Sequence, residues 1–291
     1  MLGAIIGDIA GSFRESTGVE KFPELGLLPN QKDIPSADPI HNKIPKYGIT
    51  DDSLLTIATA YACMRIEYDP IPDYRNEDHF KHYYQEYANK YKDPIGGFGA
   101  GFRAWAENRN APAYHSCGNG SAMRVSPVAY IATTQDEVLT LAFQSAIPTH
   151  NHPEGIKGAQ ATAMMIFLAR SGWNLSSIIK SLKHQFLDYE PIEGYDHFDC
   201  ICQETMRLVM HCLTTTDNFY DAVFKAVTIP YADSDTLGAI VGSIAEALYG
   251  IPEELKIKGE SFITDEHLLS VYKSFTDAYG GKNNENKSSI L

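Results

Sequence analysis

The sequence has few of the features that mark membrane-spanning, nucleic-acid-binding or disulfide-rich proteins. No apolar run reaches the roughly 18–20 residues that a membrane-spanning helix requires. Basic residues are scarce, because 24 Lys and Arg stand against 37 Asp and Glu, and the net charge is −13 at pH 7. This balance argues against a basic nucleic-acid or membrane surface. It leaves room for an anionic ligand, since a metal ion or a helix N-terminus supplies local positive potential.

Cysteine is also uncommon, with five in the chain and no Cys-x-x-Cys pair. Cys200 and Cys202 lack the second pair that a zinc site needs, so we expect reduced thiols. The apolar segment Met1–Phe13 has no basic region and contains Asp8, which argues against a signal peptide. We therefore expect a soluble cytoplasmic protein with no membrane partner, either a monomer or a weak homo-oligomer.

Strict polar–apolar alternation is scarce, whereas apolar residues recur at the spacing of three to four that is typical of helices. The pattern predicts a helix from near Asp52, a second from Pro153 to Ser171, and a third from Asp235 to Gly250. The third helix is apolar nearly all round, which predicts an interior position.

Three glycines near the start are spaced by four residues: Gly3, Gly7 and Gly11. On a helix they form a bare stripe that lets a second helix backbone approach closely. No shift in composition divides the chain. We therefore predict one all-α domain over residues 1–278, followed by a flexible tail at 279–291.

Two short acidic clusters begin predicted helices: Thr50–Ser53, which contains Asp51 and Asp52, and Asp233–Thr236, which contains Asp235. Helix capping explains one carboxylate in each cluster. Two adjacent anions, however, repel each other unless water or a cation separates them. If the clusters meet in space, their oxygens suit Mg²⁺, Mn²⁺ or Ca²⁺ rather than zinc, and two ions are plausible. Both interpretations stay open at this point.

Two further segments carry polar groups suited to a ligand. The segment Gly118–Arg124 can form an anion-binding turn, although Asn-Gly is most often a simple turn and Arg124 is as well suited to a structural salt bridge. The segment Thr149–Pro153 contains His150 and His152, which either contact a ligand or form polar surface.

Taken in order, these segments resemble the ADP-ribosylglycohydrolase family, which includes dinitrogenase reductase-activating glycohydrolase. The resemblance covers roughly residues 1–255, and five motifs carry it: Gly3–Ser12, Gly48–Ser53, Gly118–Arg124, Thr149–Pro153 and Asp233–Ala239. It implies a single-domain, all-α orthogonal helical bundle. It also implies two Mg²⁺ or Mn²⁺ ions and hydrolysis of the C1″ glycosidic bond of an ADP-ribosylated protein or small molecule, which releases ADP-ribose.

The family pattern, carried over residue by residue, implies a set of metal ligands and a set of ligand-binding residues. One ion would be held by Thr50, Asp51, Asp52 and Asp235, and the other by Asp233, Asp235 and Thr236. The diphosphate and distal ribose would contact Gly118, Asn119, Gly120, Ser121 and His150. The implied catalytic carboxylates are Glu15, Asp51, Asp52 and Asp233, with Glu15 the first candidate for the general acid.

The sequence departs from the family pattern at positions expected to line the entrance of the substrate-binding site. Tyr231 and Ala232 stand where many members have two glycines, and Cys117 stands where some have an adenine-stacking aromatic residue. Tyr114 or Phe98 is a candidate substitute for that ring. The acceptor group stays open among arginine, serine, a nucleobase and a small glycoside, although the acidic charge disfavours nucleic acid. Two alternatives also remain: a non-catalytic ADP-ribose-binding or structural member of the fold, and a metal-dependent phosphohydrolase of a nucleotide derivative.

Overall fold

The computed structural model describes residues 1–15, 22–36, 44–68, 76–183, 185–186, 188–194 and 196–281. These residues form α-helices and connecting loops and contain no β-strand, so the all-α prediction is confirmed. The helices are α1 Leu2–Ser12, α2 Asp51–Tyr68, α3 Asn76–Lys90, α4 Ala100–Ala106, α5 Gly120–Met123, α6 Val128–Ile131, α7 Gln135–Ala146, α8 Pro153–Arg170, α9 Leu175–Leu182, α10 Cys202–Thr214, α11 Phe219–Thr228, α12 Ser234–Tyr249, α13 Glu253–Glu260 and α14 Glu266–Tyr279, with a short 3₁₀ turn at Gln31–Asp33.

The three helices predicted from periodicity are α2, α8 and α12, and each begins within one residue of its expected start. The interior position predicted for α12 is confirmed, because every residue from Ser234 to Ala245 is buried. The last helix ends at the buried Tyr279, and residues 282–291 of the predicted tail lie outside the described residues.

The glycine stripe of α1 packs against α12, as the spacing predicted. A Cβ atom added to Gly7 would lie 2.8 Å from the backbone nitrogen of Ala239 and closer still to the carbonyl of Gly238. A Cβ atom added to Gly3 would likewise clash with the backbone carbonyl of Gly242. Only glycine permits this separation, so the stripe determines how closely α1 approaches α12.

This packing brings the N-termini of α2 and α12 to the same end of the bundle as the C-terminal end of α1. Helix α5 packs against α8 and α12 beside them. All five cysteines lie in described residues and none forms a disulfide. Among the described residues, no helix combines the length and the mean hydropathy needed to cross a membrane.

Candidate active site

The first acidic turn is held by a carboxylate from another helix. Asp8 of α1 is fully buried, and its Oδ2 accepts hydrogen bonds from the backbone N–H groups of Thr50 and Ser53 at 2.9 and 3.0 Å. The Ser53 hydroxyl donates to the same oxygen, and the N–H of Asp52 donates to Thr50 Oγ1 at 3.1 Å. The N–H groups of Thr50, Asp52 and Ser53 are therefore satisfied without the carboxylates of Asp51 and Asp52.

In the second acidic turn only one carboxylate serves the helix start, because Asp235 Oδ1 accepts a hydrogen bond from the N–H of Thr236 at 2.9 Å. Asp233 is the N-cap residue of α12, yet its side chain makes no capping hydrogen bond. It instead accepts a hydrogen bond of 2.9 Å from Asn119 Nδ2. Carboxylate oxygens of Glu15, Asp233 and Asp235 all lie within 4.8 Å of one another. The end of α1 and the start of α12 thus concentrate three acidic groups.

The two turns meet, although they are far apart in the chain. The hydroxyl of Thr236 donates to Asp52 Oδ2 over 3.3 Å, joining residues 184 positions apart. Both turns line one cavity of about 370 Å³. Its wall includes the following predicted site residues: Glu15, Asp51, Asp52, Gly118, Asn119, Gly120, His150, Asp233, Asp235 and Thr236.

The shared cavity perturbs the carboxylates strongly. Burial, followed by repulsion from neighbouring carboxylates, raises the pKa values of Asp51, Asp52 and Asp235 well above the ordinary aspartate value. The strongest repelling neighbour is Asp8 for Asp51, Asp235 for Asp52 and Glu15 for Asp235. Without a counter-ion, this site favours protons on its carboxylates.

The donor set fits hard divalent cations. Asp52 Oδ1 is buried and has no hydrogen-bond partner among the described residues. A buried acceptor without a partner costs about 1–3 kcal/mol, which a cation would offset. The surrounding donors are carboxylates and threonine hydroxyls, the ligands that Mg²⁺ and Mn²⁺ prefer. The residues present therefore fit the predicted metal centre.

The loop before α5 connects the acidic turns to the remaining wall. The Asn119 amide donates to Thr205 Oγ1 at 3.1 Å as well as to Asp233. The N–H of Gly118 donates to Ser116 Oγ and that of Asn119 to the carbonyl of Cys200. These two N–H groups are thus occupied within the protein, and Gly120 follows them on the cavity wall.

Some predicted residues take structural positions. The Ser121 hydroxyl donates to the carbonyl of Gly155 at 2.7 Å and does not line the cavity, because it ties α5 to α8. Thr50 is buried behind Asp52. His152 caps α8 by accepting a hydrogen bond from the N–H of Glu154 at 3.1 Å, whereas His150 lies on the cavity wall. Arg124 forms no salt bridge within the described residues and packs on the ring of Tyr84 instead.

Of the aromatic residues that line the cavity, Tyr114 and Phe98 were predicted as candidates for adenine stacking, whereas Phe198 carried no recognisable signal in the sequence. Phe198 is 52 % exposed at the cavity rim, and Tyr114 lines the cavity wall. Both rings are therefore accessible for stacking with the nucleobase of a ligand. Phe98 is buried against Phe102, with ring centroids 5.3 Å apart. Tyr231 adopts a φ of +59°, a left-handed conformation that glycine adopts more easily, and it is 40 % exposed. Phe198 lies in a loop with no regular pattern, which gives no basis for predicting where its ring lies.

The fold and the cavity define a class: an all-helical protein with an oxygen-rich acidic site next to a glycine loop. The family model described as ADP-ribosylglycohydrolase matches residues 1–259, and the chain belongs to that family. The resemblance inferred from the motifs is thereby confirmed.

Individual relatives match over shorter segments. The ADP-ribosyl-[dinitrogen reductase] glycohydrolase of Rhodospirillum rubrum is 30 % identical over 142 residues, covering 47 % of each chain. The ADP-ribosylarginine hydrolase Tri1 of Pseudomonas putida (strain GB-1) is 27 % identical over 157 residues, covering 47 % of this chain and 39 % of that protein. The matched segments thus span less than half the length of these curated relatives.

A solved structure described as an ADP-ribosylglycohydrolase-related protein complex has the same fold. It superposes with a TM-score of 0.62 at 19 % identity, covering 94 % of this chain and 96 % of that one. This similarity confirms the predicted bundle over nearly the full length.

Proposed function

We propose that this protein hydrolyses the C1″ glycosidic bond of ADP-ribosylated substrates with the help of two Mg²⁺ or Mn²⁺ ions. The observation that carries the proposal is the hydrogen bond between Thr236 and Asp52, which joins the two acidic turns in one cavity. Family membership supports the same reaction, and so do the names of both relatives.

The two ions would share the carboxylates of both turns. Thr50, Asp51, Asp52 and Asp235 are the proposed ligands of one ion, and Asp233, Asp235 and Thr236 those of the other. When bound, the ions would supply Lewis acidity that polarises water and holds ribose hydroxyls. Asp235 is the proposed bridge, consistent with its position between the two groups of acidic residues.

The protein groups around this centre suit the charge that develops during the reaction. Glycoside cleavage produces an oxocarbenium-like transition state, which a wall of carboxylates stabilises. Glu15 and Asp233 lie within 4.8 Å of each other and can exchange protons with water and with the leaving group. Gly120 lies on the cavity wall where α5 begins, and its N–H group is proposed to bind the diphosphate.

The rim favours a cationic acceptor, so we propose an arginine-linked ADP-ribosyl protein as the first substrate to test. The exposed ring of Phe198 is followed in the chain by the half-buried Asp199. Asp199 in turn pairs with Ala232 through a backbone bridge next to Tyr231. Aromatic faces and carboxylates together suit a guanidinium. The printed activity of the Pseudomonas putida relative, an ADP-ribosylarginine hydrolase, agrees with this choice.

The proposal is tested by a panel of substrates ADP-ribosylated on arginine, on serine and on nucleic acid, each assayed with Mg²⁺, with Mn²⁺ and with EDTA. We expect free ADP-ribose to be released from the arginine substrate only when a divalent ion is present. ADP-ribose binding without turnover would indicate a non-catalytic member of the fold. Release of phosphate or AMP would indicate a phosphohydrolase. Either result would overturn the proposal.

A further inference from the structure

A buried relay of hydrogen bonds runs from Arg124 to the cavity. Arg124 Nη2 donates to Thr149 Oγ1 at 2.7 Å, and the same Oγ1 lies 2.7 Å from His150 Nδ1. All three residues are nearly inaccessible, with exposed fractions of 1 %, 0 % and 5 %. No solvent is therefore available to satisfy these groups in another way.

The hydrogen-bonding chemistry of the three side chains determines which atom of this relay carries each proton. A guanidinium is only a donor, so Thr149 Oγ1 must accept from Arg124. The single hydroxyl proton of Thr149 then has one acceptor within reach among the described residues, His150 Nδ1. If Nδ1 carried a proton instead, the threonine hydroxyl would be a buried donor without a partner, which is unfavourable. The arrangement therefore favours an unprotonated Nδ1.

The other nitrogen of the ring faces the ligand cavity. A Cβ atom added to Gly120 would lie 3.1 Å from His150 Nε2, and one added to Gly118 would lie 3.8 Å from it. No described protein atom forms a hydrogen bond with Nε2. Burial and the nearby charge of Arg124 lower the pKa of His150 well below its usual value, so the ring is neutral at pH 7. A neutral ring without a proton on Nδ1 carries it on Nε2.

We infer that Thr149, oriented by Arg124, is a positioning residue that holds His150 as a neutral Nε2–H donor to an acceptor oxygen of the bound ligand. This inference rests on the proposed function in naming an ADP-ribose oxygen as the acceptor. Arg124 has a second effect, because its buried guanidinium forms no salt bridge with a described residue. Its positive charge therefore remains available beside an otherwise acidic cavity.

The test compares Thr149→Val, which keeps the shape of the side chain but removes the hydroxyl, with Thr149→Ser, which keeps the hydroxyl. Long-range ¹H–¹⁵N spectra report which ring nitrogen is protonated, and the His150 signals are identified by their loss in His150→Gln. We expect the Nε2–H tautomer in the native protein and in Thr149→Ser, and a mixture of tautomers in Thr149→Val. Calorimetry with ADP-ribose is expected to show about tenfold weaker binding for Thr149→Val and near-native binding for Thr149→Ser.

Thr162→Val is the matched control, because Thr162 is a fully buried threonine of α8 that does not line the cavity. Circular dichroism checks that all variants keep their helices. An Nδ1–H tautomer in the native protein, or equal ADP-ribose affinity in Thr149→Val and Thr162→Val, would overturn the inference. A native Nε2–H tautomer with ADP-ribose binding but no hydrolysis would leave the relay intact and reject only the proposed function.

Discussion

Replacing Gly7 by alanine changes the stability of the protein in two opposite ways: the higher helix propensity of alanine stabilises α1, whereas its Cβ atom disturbs the packing of α1 against α12. Alanine is favoured over glycine inside a helix by about 1 kcal/mol. The added Cβ, however, would lie 2.8 Å from the nitrogen of Ala239, whereas an ordinary contact begins at 3.4 Å. Helices α1 and α12 must therefore separate by at least 0.6 Å, the difference between these two distances, and the nearer carbonyl of Gly238 requires more.

Overpacking of this kind costs about 1–3 kcal/mol, and a backbone obstacle places Gly7→Ala at the upper end. After the gain in propensity, we expect a net loss of about 2 kcal/mol. An unfolding entropy of about 2.1 cal/mol/K per residue over 291 residues converts this loss to a Tm lower by about 3 °C.

Differential scanning calorimetry of the native protein, Gly7→Ala and Gly99→Ala checks this value. Gly99 is the matched control, because a Cβ there meets nothing within 4 Å and its φ of −53° suits alanine. The control is expected to melt within about 1 °C of the native protein. A Tm for Gly7→Ala equal to or above the native value would show that α1 and α12 are not in backbone contact.

The other predictions concern the cavity. In EDTA, the pKa values of Asp52 and Asp235 are raised on folding, and that of Asp8 is raised to about 6, so the native state binds more protons than the unfolded state. The free energy of unfolding should therefore fall as the pH rises from about 4 through 6 and above, and urea titrations in EDTA that show it rising would contradict this sign. Asp235→Asn should abolish hydrolysis and the stabilisation by Mg²⁺. In EDTA it should melt above the native protein at neutral pH, because the neutral amide avoids the cost of burying or protonating a carboxylate on folding. The exposed Asp277→Asn should show neither effect. Asn119→Ala should weaken ADP-ribose binding about tenfold by calorimetry, and unchanged affinity would place the diphosphate elsewhere.

The helices were predictable because their signals are local. Pro153 at the first turn of α8, the glycine after α12 and the apolar spacing act over a few residues, so they are visible without tertiary contacts. The stripe from Gly3 to Gly11 likewise implied a close helix crossing. The sequence could not identify α12 as the partner, since any helix with small residues would fit the pattern.

The candidate site was predictable in its residue types more than in its contacts. Asp51, Asp52, Asp233 and Asp235 were recognised because paired carboxylates are unusual at a helix start. At the start of α2 the capping role is taken by Asp8, which lies 42 positions before Thr50 and accepts the N–H groups of Thr50 and Ser53. No local pattern reveals such a substitution.

The amino-acid sequence by itself determined the helical class, the starts of α2, α8 and α12, and the family, because periodicity, capping signals and motif order are properties of short segments. Only the tertiary structure decided that the two acidic turns share a cavity, that Ser121 and His152 serve the scaffold, and that the hydroxyl of Thr149 lies between Arg124 and His150. Each of these outcomes depends on which side chain meets which across the packed helices, and packing is a property of the whole chain.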